Sequence, residues 1–226
     1  MTILTININH NKNQTNMKRI FSSVVTISTI FFTACNSGGS KNEHEGHDMK
    51  NMNKDTTQHA VTPDDKEVKA VTVAYTNVDA KATASIKEIV DHYLNIKNAL
   101  ANDNGSEAAS GAKAMENAIS KLDKSLLTAE QKAAYDKNEE EMKEHAEHIA
   151  KNGDKIEHQR SHFVMMSEVV YDLVKNFGAG RPLYHDHCPM ARNNQGAMWI
   201  SEMKEVKNPY FGAKMLTCGT IEEVIK

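Results

Sequence analysis

The stretch DKIEHQRSHFVMMSEVVYDLVKNF, residues 154–177, decides the fold class. Ile156, Phe163, Met166, Val170, Leu173 and Phe177 recur at helical spacing, so they share one face of an amphipathic helix whose other face is polar. Gly178-Ala-Gly180 ahead of Pro182 stops it, glycine tolerating the backbone of a helix end and proline refusing to continue one. Upstream, Asn152-Gly153 separates this helix from another that opens at Thr128 and runs to about Lys151. Thr128-Ala-Glu-Gln131 has the form of a capping box, in which the hydroxyl and the amide each satisfy a free backbone N–H. Two more helices precede it. One spans Ser106–Leu122, with Ala112, Met115, Ile119 and Leu122 inward and Gly111 weakening it; the other spans Asp79–Ala101, with Ile86, Ile89, Val90, Tyr93, Ile96 and Leu100 on one face. Four such helices with short links predict an all-α protein, an antiparallel four-helix bundle over residues 79–182. Val68–Tyr75 alternates weakly and reads as strand-like, with no evident mate. Residues 183–226, rich in Cys, Met, aromatics, Gly, Pro and Asn, are expected to form an irregular C-terminal segment of the same domain. Trp199 and the aromatics of Asn208-Pro-Tyr-Phe-Gly212 should plug it onto the bundle.

At the other end, Lys18 and Arg19 precede the apolar run Ile20–Phe32, which is too short to span a bilayer. Phe32-Thr-Ala-Cys35 then resembles the lipobox of bacterial lipoproteins, so residues 1–34 are expected to be a signal peptide, with Met17 as a possible start, and Cys35 the lipidated residue. A plain secretory signal cleaved near Ala34, or an uncleaved anchor, is the alternative. Residues 35–78 read as a flexible leader carrying His44, His47, Met49 and Met52, too poor in large apolar residues to build a core. The expected location is the cell envelope, on a lipid anchor, at the outer membrane facing the periplasm. The net charge of −3 falls further once residues 1–34 are removed, since they hold Lys12, Lys18, Arg19 and no acid, so nucleic acid is not an expected partner.

Two clusters of soft ligands lie in the tail. Tyr184-His-Asp-His-Cys-Pro-Met190 contains His185, His187, Cys188 and Met190, and Met215-Leu-Thr-Cys218-Gly219 follows. Thiolate and thioether together select a soft ion such as Cu(I) or Ag(I), whereas structural zinc sites use cysteine and histidine. Spacing leaves a disulfide between Cys188 and Cys218 equally open, because paired extracytoplasmic cysteines usually oxidise. His44, His47, Met49 and Met52 offer a further mixed site on the leader. His145 and His148 before Gly153, and His158 and His162 after it, fall level with one another in an antiparallel hairpin. All four can line one end of the bundle, although the helical wheel turns His148 and His158 away from the core. No Cys-x-x-Cys pair, nucleophile elbow or phosphate loop is present, so no enzyme activity and no organic cofactor is expected.

Cys188-Pro-Met-Ala191, Gly196-Ala-Met-Trp-Ile-Ser201, Asn208-Pro-Tyr-Phe-Gly212 and Met215-Leu-Thr-Cys-Gly219, together with His145-Ala-Glu-His-Ile149 and Ile156-Glu-His-Gln-Arg160, carry a family resemblance. The chain from Ile86 to Lys226 resembles a bacterial helical domain of unassigned function. That domain occurs as small lipoproteins and fused to periplasmic adaptor subunits of copper and silver efflux pumps. The Cys-Pro-Met element also resembles heavy-metal-binding domains of copper pumps, with Ala191-Arg192 where those have His-Pro. The resemblance implies copper or silver binding in heavy-metal resistance, as a chaperone, a buffer or an efflux accessory. Cys188, Met190, Met215 and Cys218 would be ligands, His185 and His187 adjacent, and a metal efflux pump or another periplasmic copper protein the partner. The rival reading is a disulfide-stapled helical interaction module of the envelope with no metal role.

Overall fold

The computed structural model describes residues 68–226. The expected signal peptide, Cys35, and the leader residues His44, His47, Met49 and Met52 lie outside the described residues. The chain runs β1 (Lys69–Val71), α1 (Ala80–Ala101), α2 (Gly105–Lys121), α3 (Ala129–Lys151), α4 (Ile156–Phe177), β2 (Leu183–Cys188), β3 (Ala197–Ser201) and β4 (Thr220–Ile225).

The helices begin where side-chain oxygens accept from backbone N–H groups that the helix itself leaves unpaired. Asp79 accepts from Lys81 at 2.7 Å, and Asn104 from Glu107 at 3.1 Å. The capping box at the head of α3 is present in both directions, Thr128 accepting from the Gln131 N–H at 3.2 Å and Gln131 from the Thr128 N–H at 3.1 Å. α4 ends where Gly178, at φ 68°, donates to the Val174 carbonyl. Each helix packs on the next, and the apolar faces read from the sequence meet in one core that includes Ile86, Tyr93, Met115, Met142 and Phe163. Gly111, which lowers the intrinsic stability of α2, is also where α2 meets α1: a Cβ there would lie 3.2 Å from the Ile96 side chain.

The all-α expectation is overturned. The domain is mixed α/β, with a four-stranded sheet in the order β1-β4-β2-β3 resting on α4 and α1 through β3. β1 pairs with β4 in parallel, and β2 lies antiparallel to both β4 and β3. The segment expected to be irregular therefore supplies three strands. The weakly alternating stretch near Val68 supplies the fourth, and its mate is the last strand of the chain.

A buried polar group explains part of why these strands do not read as strands. Asp186, in the centre of β2, is fully buried, as is Lys97 of α1. Lys97 donates to Ser201 at 3.3 Å and to Glu202 at 3.1 Å, while neither Asp186 oxygen has a hydrogen-bond partner. Burial pushes the Asp186 carboxyl up to about 7, against the pull of Lys97. A carboxyl raised in the native state contributes stability that is full below its unfolded value of 3.8 and is lost as pH rises through about 7. Asp186→Asn, neutral at every pH, should therefore raise the melting temperature at pH 8 and match the parent near pH 4. Thermal unfolding at the two pH values checks this.

The tail is clamped to the helices by Arg160, which is buried. It donates to the Pro209 carbonyl at 2.9 Å, to the Leu100 carbonyl at 3.0 Å and to Asp103 at 2.6 Å, and Asp103 in turn accepts from the Ala213 N–H at 2.9 Å. Gly212 sits against this clamp at φ 55°, where an added Cβ would lie 2.1 Å from an Asp103 carboxylate oxygen. Gly180 has a similar φ of 69° with nothing within 4 Å of its missing Cβ. Gly180→Ala should cost about 1–2 kcal/mol, the left-handed backbone alone, and Gly212→Ala measurably more. Urea midpoints of the two variants give the comparison.

Candidate metal centre

Antiparallel pairing of α3 and α4 around Gly153 brings four imidazoles to the turn end of the hairpin. His148 and His162 stack with ring centroids 4.2 Å apart, His158 meets His162 edge-on at 4.6 Å, and His148 and His158 are 6.0 Å apart. One ring nitrogen from each of His148, His158 and His162 lies within 4.8 Å of the other two. His145 adds a second layer: its Nδ1 is 3.3 Å from His162 Nδ1, and its Nε2 is buried with no hydrogen-bond partner. His148 and His158 are exposed, His162 is half-buried and His145 is buried, so the cluster opens to solvent on one side.

The local electrostatics favour neutral rings in a field that attracts cations. Burial holds His162 down to about 4, helped by His148, His158 and His145. Burial lowers His145 too, with Glu144 and Glu141 opposing. A neutral imidazole keeps the lone pair a metal needs. The residues fit a borderline transition-metal ion such as copper, zinc or nickel. Two nitrogens bound at about 2.0–2.1 Å can be at most about 4.2 Å apart, so the set, now within 4.8 Å, must draw in before all three rings reach one ion. His162 would ligate through Nε2, because its Nδ1 faces His145. Glu141 and Glu144 were not singled out from the sequence, although each stands four residues before a histidine of the cluster.

The tail places the other expected ligands in three different settings. Cys188 Sγ and Cys218 Sγ are 2.8 Å apart as free thiols, Cys188 buried at the end of β2 and Cys218 half-buried. The contact with Cys188, together with burial, pushes the Cys218 thiol up to about 11. Met190, 48% exposed, and Met215 line a groove of about 550 Å³ with Arg160, Tyr210 and Phe211; neither cysteine lines it. His185 stacks on Tyr171 at 4.6 Å, and His187 lies 3.4 Å from Glu222. The structure thus brings the two cysteines together and the two methionines to one groove.

A helical hairpin bearing an imidazole cluster, joined to a small sheet with a thiol pair at its margin, defines a candidate metal-binding domain. Residues 89–181, from within α1 to just past α4, match the model of a family described as a protein of unknown function, DUF3347. This agrees with the helical domain of unassigned function expected from the sequence. No curated protein and no solved structure matches the chain. Among the described residues, no helix is long and apolar enough to cross a membrane.

Proposed function

We propose that this is a metal-handling protein of the cell envelope, held to a membrane through lipid on Cys35, that captures copper or silver in an extracytoplasmic space. The main support is the convergence of His148, His158 and His162 on one volume, with His145 behind them. Imidazoles suit Cu(II), whereas the thiol pair and the thioethers of Met190 and Met215 suit Cu(I) or Ag(I), so the domain offers ligands for both oxidation states. Delivery to an efflux pump or to another copper protein is part of the proposal, resting on the family resemblance of the tail motifs. The test is Cu(II) titration of the full chain against a competing chelator, beside a His148→Ala/His158→Ala/His162→Ala variant and a His44→Ala/His47→Ala variant. Loss of the tightest equivalent in the triple variant alone supports the reading. An isotherm unchanged in the triple variant sinks it.

A second reading has its own support in the 2.8 Å sulfur contact. Oxidation of Cys188 and Cys218 would close a loop across 30 positions of sequence, worth about 3–4 kcal/mol in the chain-entropy picture, and leave a stapled interaction module without soft thiolates. Intact mass of the protein isolated from its envelope without reductant separates the two states, since the disulfide lacks two hydrogens.

A further inference from the structure

We infer a second cation site on the sheet, built by His185 and His187 of β2 and Glu222 of β4, for a borderline divalent ion such as Zn(II). The inference does not depend on the histidine centre of the hairpin. Residues two apart on a strand project to the same face, so the two histidines are on one side of β2. In the register between β2 and β4, His185 pairs with Glu223 and Asp186 with Ile221, which leaves Glu222 as the extra residue of a bulge. Bulges re-aim side chains, and this one returns the Glu222 carboxylate to the histidine face. Its two oxygens divide between the rings, Oε1 3.4 Å from His187 Nδ1 and Oε2 3.9 Å from His185 Nδ1.

Three further features mark this as a ligand set in waiting. His185 Nδ1 is buried and makes no hydrogen bond, while its ring is held by stacking on Tyr171. Glu223, the neighbouring acid, is engaged by Lys69 at 2.8 Å and by the Tyr171 hydroxyl at 2.5 Å. Glu222 makes no ion pair with lysine or arginine among the described residues. Neighbouring ligands on an ion with bonds of about 2.0–2.2 Å stand about 3.0–3.5 Å apart; the His187 separation of 3.4 Å falls inside that range and the His185 separation of 3.9 Å just outside it. Bringing all three donors onto one ion calls for a turn of the carboxylate and a ring adjustment at half-exposed His187, with Glu222 as the ligand the two histidines share. Two imidazoles and one carboxylate prefer Zn(II), Cu(II) or Ni(II) to soft Cu(I).

The test follows the histidine ring nitrogens by NMR in the full chain carrying His148→Ala, His158→Ala and His162→Ala, as Zn(II) alone is added. The His185 and His187 rings are expected to shift together, and Glu222→Gln, a change at a half-exposed bulge residue, to weaken that response about tenfold or more. His187→Asn should abolish the shift at His185. The inference is overturned if neither ring responds at millimolar Zn(II), or if both respond equally with Glu222→Gln in place.

Discussion

Replacing Trp199 with alanine is expected to cost about 3–5 kcal/mol of folding stability, the largest loss foreseen for any single change in this domain. Trp199 is the largest fully buried side chain, and it stands where three parts of the tail meet. It opposes Asp186 across β2 and β3, meets Tyr210 edge-on at 5.8 Å, and lies so close to Gly219 that an added Cβ there would be 2.8 Å from the indole. Tyr210 carries the contact inward through its hydroxyl to the Met198 carbonyl and on to Ser167. Ser167 also bonds Tyr93, which stacks on Phe163 at 5.0 Å and accepts the Ile200 N–H at 3.0 Å. Removing the indole opens a cavity at the junction of sheet, tail and helices, and a pinned backbone cannot collapse to fill it. Urea unfolding should show a lower midpoint at unchanged slope. Met190→Ala, at a side chain 48% exposed, should stay within about 0.5 kcal/mol of the parent.

The helices were legible because their signals agree with one another: apolar spacing, Thr128 with Gln131 at one start, and Gly178 at one stop all predict the same elements. The sheet was not, and each strand hides for a separate reason. β2 reads Leu-Tyr-His-Asp-His-Cys, with a buried aspartate in the middle where binary patterning asks for an apolar residue. β4 carries its bulge at Glu222, which breaks the alternation between Ile221 and Ile225. β1 is three residues long, and its partner is more than 150 positions away, a pairing no local pattern announces. At the candidate metal centre the reverse holds. Hairpin geometry alone places position 145 beside 162 and 148 beside 158, and those rings are 5.5 and 6.0 Å apart. The wheel turned His148 and His158 off the core, and they are exposed. They still converge with His162, because flank positions of two neighbouring helices face each other across the groove between them. The meeting of Cys188 with Cys218 was legible as chemistry, since both a disulfide and a shared soft ion require it, but the path to the 2.8 Å contact was not: the loop after β3 folds back along the sheet until Asn208 donates to the Cys218 carbonyl at 2.7 Å.

His162→Ala should weaken Cu(II) binding by more than about 100-fold, while His145→Ala should weaken it by the about 10–100-fold typical of a residue that orients a ligand without touching the metal. His162 is the ring common to the cluster, stacked on His148, edge-on to His158 and 3.3 Å from His145. Its removal leaves two exposed imidazoles with no third donor between them. His145 reaches the same centre only through His162, and its loss frees the His162 ring to rotate and admits water to a position now closed. The pH response separates a ligand role from a packing role. Burial first, and the neighbouring rings second, depress His162 to about 4 from the ordinary 6.5 of an imidazole, so the metal-free native state takes up that proton less readily than the unfolded chain does. This group's stability contribution is present above about 6.5 and is lost as pH falls toward 4. Metal-free His162→Ala should therefore lose stability less steeply than the parent between those pH values. Bound Cu(II) should steepen the parent's acid loss, because protons then compete with the ion for the same nitrogens. Melting curves with and without Cu(II) across that range decide the matter: a parent and a His162→Ala variant that respond identically to the ion would mean that His162 is packing in this hairpin and no ligand.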